Sequence, residues 1–129
     1  MQQSELEPWR DVWRRGIAPG LSAHQLRLLA DALRCDDPLL IQGSITRGAG
    51  MCLIGFCGAC DPAQELYSAQ DIEDYFTHFT HWANRRLSPV RVASSFVHWY
   101  DYAKRPEMIA ALLPEVERSL ALLAEGVPS

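Results

Sequence analysis

The chain has 129 residues, 48% of them hydrophobic and 22% charged, with a formal net charge of −4. That size and composition suit one domain over 1–129 with a single core, and exclude a disordered, weakly hydrophobic chain. The acidic balance disfavours a phosphate backbone, so no nucleic-acid partner is expected. The amino terminus carries Glu5, Glu7 and Asp11 instead of the basic start and apolar middle of an export signal. The longest strongly apolar run, Met51 to Cys57, has seven residues, whereas a bilayer-spanning helix needs roughly 20. A cytoplasmic protein without membrane contact is therefore expected, with its four cysteines as thiols or metal ligands in preference to disulfides.

In chain order, a first helix is predicted over about 5 to 15, with Leu6, Trp9, Val12 and Trp13 on one stripe. Its start is read either from a Ser4 and Glu7 capping box or from Pro8 at the first helical position. A second helix opens at Ser22, with Gln25 completing a capping box and Leu21 and Leu26 forming a staple, and it closes near Asp36. Asp37 before Pro38 caps a short turn through Ile41, and Gly43 to Gly50 is a loop by composition. Met51 to Cys60 suits a buried helical turn or a short strand, with helix preferred. Ser68 starts a long helix to about Arg86, stapled by Tyr67 and Ile72. Ser88 and Pro89 read as cap and first residue of a helix apolar around most of its circumference, which predicts that Pro89 to Ala103 is the central, most buried element. A final helix from near Pro106 keeps Ile109, Leu112, Val116, Leu120 and Leu123 on one stripe through Pro114 and ends at Gly126. The expected fold is an all-α bundle of about five helices with one Gly-rich loop.

Cys57 and Cys60 form a C-x2-C, and His78 and His81 follow seventeen residues later as an H-x2-H. Thiolate and imidazole pairs at such spacing are what a structural zinc ion takes in a tetrahedron. The His pair is closer than in finger helices, and helix geometry turns His78 about 100° and His81 about 160° from the apolar stripe of Ile72, Phe76, Phe79 and Ala83. The alternative is two packed thiols and two surface imidazoles. Cofactors are accordingly expected to be none, with zinc as the alternative.

No P-loop, dinucleotide fingerprint, HExxH, GxSxG or EF-hand loop is present. Trp9 and Trp13, flanked by Arg10, Arg14 and Arg15, and Trp82 near Tyr75 are candidates for an exposed aromatic patch of the kind enriched at protein interfaces. Ser95, His98 and Asp101 share the polar stripe of the apolar helix, where buried polar groups need a partner or a purpose. The leading expectation is a non-catalytic helical module that binds another protein: an adaptor, an inhibitor or immunity-type protein, or a small subunit of an assembly. The alternatives are a small zinc-binding helical domain and an enzyme with an interhelical pocket around His98.

Overall fold

The computed structural model describes residues 6–126. Six α-helices carry most of the chain: α1 (Pro8–Val12), α2 (Ala23–Cys35), α3 (Leu53–Ala59), α4 (Ala69–Leu87), α5 (Ser94–Tyr102) and α6 (Arg105–Ala124). The expected count of five is thus one short. The Gly-rich segment is also more than a loop, because β1 (Thr46–Arg47) and β2 (Gly50–Met51) pair antiparallel across Gly48 and Ala49. Gly48, at φ 60°, supplies the positive φ that a two-residue hairpin turn requires at its first position. No described helix is long and apolar enough to cross a membrane.

α1 begins with Pro8 at its first turn, while the Ser4 of the alternative cap lies outside the described residues. It widens into a π-helical turn, Trp13–Ile17, followed by a 3-10 turn, Ala18–Gly20. Trp9, Val12, Trp13 and Ile17 are buried, and Leu6 is not. This amino-terminal segment, rather than Pro89 to Ala103, is the centre of the molecule, since α4, α5 and α6 all pack on it. Gly16 lies so close to Leu87 of α4 that a Cβ would meet the Leu87 side chain at 2.6 Å. Trp9 stacks on Trp99 of α5 with ring centroids 3.7 Å apart and planes 4° from parallel, and Trp13 Nε1 donates to Ser119 Oγ of α6 at 3.2 Å.

α2 starts as predicted, with the reciprocal Ser22 and Gln25 capping box, and ends at Asp36 in the left-handed conformation. Its apolar face, Leu26, Leu29 and Leu33, packs against α6, whose buried face is Met108, Leu112, Glu115, Val116 and Ser119. That face is rotated from the predicted stripe, because α6 also meets the arginines of the first segment: Leu123 is exposed and Glu115 is buried. The helix is continuous through Pro114.

Met51 belongs to β2 and Leu53–Ala59 is helical, so the ambiguous segment divides between both readings. α3 lies against α2, where Gln25 Nε2 donates to the Cys57 carbonyl at 2.9 Å, and against α4. Gly55 and Gly58 allow the second contact, since a Cβ there would fall 2.7 Å from Ile72 and 2.5 Å from Tyr75. α4 opens on a capping box of Ser68 and Asp71, but the predicted staple does not close, because Tyr67 is 82% exposed. The Ser88 and Pro89 helix start is also corrected. α4 runs to Leu87, the chain turns through Ser88 to Ala93, and α5 begins at Ser94. Arg91 Nε donates to Asp11 Oδ2 at 3.1 Å and Asn84 Oδ1 accepts from Ala93 N at 2.7 Å, so side chains of other elements hold the turn open and leave Val90 and Val92 exposed.

Candidate functional site

The residues between α2 and the hairpin are fastened to the carboxyl end of α5. Tyr100 OH donates to the Ile41 carbonyl at 2.7 Å, and Asp101 Oδ1 accepts from Gly43 N at 3.0 Å. Gln42 Nε2 donates to the Tyr100 and Ala103 carbonyls at 2.6 and 2.9 Å, meeting acceptors that the end of a helix leaves free. Gly43, at φ 88°, turns the strap toward the hairpin. Arg47 Nη2 then donates to the Gln42 carbonyl and to Ser44 Oγ, each at 3.3 Å.

Between this strap, the start of α3, α4 and α5 lies a half-open pocket of about 180 Å³. Its floor is Cys52, Leu53, Ile54, Phe96 and Tyr100, all 5% exposed or less. Ile45, Phe76 and Val97 form a half-buried rim, and Gly43, Ser44 and Asp101 supply its polar side. On the other side of the hairpin is a second cleft, of about 240 Å³, bordered by Met51, Leu66, Tyr67 and Ile72.

The first pocket contains one thiol and one phenol, both buried. Burial pushes the Cys52 thiol up to about 11, against weaker help from backbone N–H groups, so the sulfur stays protonated. Burial likewise raises Tyr100 far above its ordinary value, and its hydroxyl proton is committed to Ile41. The charge of the nearby Asp101 carboxylate raises both groups further. Every buried side-chain polar atom among the described residues has a hydrogen-bond partner.

The residues singled out from sequence are distributed differently. Trp9 and Trp13 are 4% and 0% exposed, which corrects their assignment to a surface patch: stacking on Trp99 and the bond to Ser119 draw them into the core. Tyr75 and Trp82 are half-buried on α4, each packed against Phe79, and the Arg86 guanidinium lies 5.1 Å from the Trp82 ring centre. The polar stripe of α5 is not buried. His98 is exposed and lies 4.7 Å from the Tyr102 ring, Ser95 is half-buried, and of the three only Asp101 lines the pocket. Cys57 is fully buried and its thiol pushed well up by desolvation, Cys60 is half-buried at the end of α3, and His78 and His81 are exposed on α4. No three His, Cys, Asp or Glu side chains among the described residues converge on a point that could hold a metal, so the zinc set is not assembled.

Sequence reasoning passed over Ile45, Cys52, Phe76 and Val97 as pocket residues. The available signal was the run of glycines at 43, 48 and 50 around Ile45, in which a two-residue connection marks a hairpin instead of an unstructured loop. Comparisons of the chain with protein-family models, with curated proteins and with solved structures gave no match.

Proposed function

We propose that this domain is a non-catalytic helical module that captures a partner protein by one apolar anchor side chain seated in the pocket between the strap, α4 and α5. The observation that carries the reading is an apolar pocket whose walls are hydrogen-bonded in place and whose thiol and phenol are kept protonated by burial. A rigid site avoids the ordering cost that weakens association. Tyr102, next to the pocket residue Asp101 in sequence, is 76% exposed, and tyrosine is among the residues enriched at interfaces. The test is a photo-crosslinking side chain placed at Ser44, on the rim, and at the exposed Arg118 of α6 in a second preparation. The expected result is one protein joined through position 44 and lost when Val97→Trp fills the pocket. Identical products from both positions, or turnover of a substrate by the isolated chain, would overturn the proposal.

A further inference from the structure

One carboxylate at the pocket mouth, and a second on the helix that supplies Phe76 to it, bear on what the anchor carries with it. Asp101 lines the mouth, with one oxygen engaged by Gly43 N. Glu73 is exposed on α4, one turn before the pocket residue Phe76 and about 60° from it around the helix axis. The acidic partners in the ion pairs of the described residues are Glu7, Asp11, Asp31, Asp36, Glu115 and Glu117. Asp101 and Glu73 are therefore without a cation there. Arg47, which follows the strap in β1, has its guanidinium turned to the Gln42 carbonyl and Ser44 hydroxyl.

The volume sets the size of the occupant. An apolar cavity of about 150 Å³ holds a benzene ring, so the roughly 180 Å³ pocket accommodates one phenyl or branched aliphatic side chain and little more. We propose, resting on the interaction-module reading above, that the pocket takes a partner segment in which a single aromatic or branched apolar residue is flanked by Lys or Arg. The ring buries its apolar surface on an apolar floor, and the flanking cations meet Asp101 and Glu73. Two exposed ion pairs together change affinity by about tenfold, and salt screens that gain.

The experiment uses three blocked tripeptides, Lys-Phe-Lys, Glu-Phe-Glu and Lys-Ala-Lys, titrated into the full nitrogen-15-labelled chain while the amide signals of Gly43, Val97 and Asp101 are followed. Lys-Phe-Lys is expected to move them with about tenfold higher affinity than Glu-Phe-Glu, and Lys-Ala-Lys to leave them in place. The gap should close in Asp101→Asn combined with Glu73→Gln, a pair that keeps an oxygen to accept from Gly43 N. Equal affinity for both phenylalanine peptides, lost in Val97→Trp, would overturn the selection of cations while leaving the anchor pocket standing. No movement of these amides with either phenylalanine peptide would overturn both readings.

Discussion

Glu115 gives the sharpest test of how the helices are held together. Arg10 Nη1 donates to Glu115 Oε2 at 2.7 Å, while Arg14 Nε and Nη2 donate to its two oxygens at 2.8 and 2.9 Å. The Glu115 side chain is 5% exposed and those of Arg10 and Arg14 are 25% and 26% exposed. Removing one partner of a fully buried pair costs about 3–5 kcal/mol because the other charge is stranded. Here both arginines reach water, which recovers part of that loss, so Glu115→Ala is expected to cost about 2–3 kcal/mol. At about 4 °C per kcal/mol for a domain of this size, Tm should fall by roughly 10 °C.

The pH dependence follows from the same contacts. Burial is the largest single influence on the Glu115 carboxyl and raises it, but the hydrogen bonds and charges of Arg14 and Arg10 together outweigh burial and hold it below its ordinary 4.5. A carboxylate lowered on folding stabilises in full above its unfolded value, and that stabilisation drains away as pH falls through the folded value. Urea unfolding of the native chain and Glu115→Ala, at neutral pH and in steps to about pH 3, should show a gap that narrows only below about pH 4.5. A gap under about 0.5 kcal/mol at neutral pH, within the range of a surface substitution, or one undiminished in acid would refute the reasoning.

Trp9→Ala removes a buried ring stacked 3.7 Å from Trp99 and should cost about 3–5 kcal/mol in chemical unfolding, with loss of near-ultraviolet circular dichroism; a loss under about 1 kcal/mol would contradict the packing. Alkylation followed by peptide mass spectrometry should label the exposed Cys35 first and the half-buried Cys60 more slowly, while Cys52 and Cys57 wait for unfolding; early labelling of Cys57 would be the adverse result. Gly58→Val drives a side chain into the Tyr75 ring, 2.5 Å from where its Cβ would stand, and should destabilise by about 1–3 kcal/mol in thermal melts; unchanged Tm would count against the contact between α3 and α4. Gln42→Ala frees two carbonyls of α5 and should raise hydrogen exchange at the Gly43 and Cys52 amides while α2 and α6 keep their protection; a uniform change across the molecule would show that the strap is not a local unit.

Local chemistry explains which elements were legible. Ser22 and Gln25 close a box of contacts only three residues apart, so the start of α2 needs nothing from the rest of the molecule. Ser88 and Pro89 carry an equally good local signature, but Arg91 is claimed by Asp11, 80 residues away in sequence, and Ala93 N by Asn84, and these tertiary bonds delay the helix to Ser94. Glu115 and Ser119 read as surface residues until arginines and an indole from α1 and its π turn are brought to them. The Trp9 and Trp13 part of the aromatic patch failed for a related reason. Trp9 has the flanking arginines of an exposed residue, yet Arg10 stretches to Glu115 while its guanidinium covers the Trp9 ring at 4.6 Å, so charge in the sequence beside Trp9 seals the core instead of marking a surface.

The pocket was hardest to see because its walls come from four separated stretches and its shape from hydrogen bonds that join them. Phe96 and Tyr100 are core residues by helical spacing, and nothing in their own segment says that a void adjoins them. The void exists because residues 41–45 stand off α5 at the distance set by Gln42, Gly43 and Tyr100, and because Gly43 turns the chain where a side chain would be strained. Those bonds use the last carbonyls of α5 and an engaged oxygen of Asp101, groups that would otherwise draw water to the mouth. The strap therefore builds the cavity. A segment that answers a helix end in this way shapes an apolar cavity that close packing alone would fill, as the proposed anchor pocket requires.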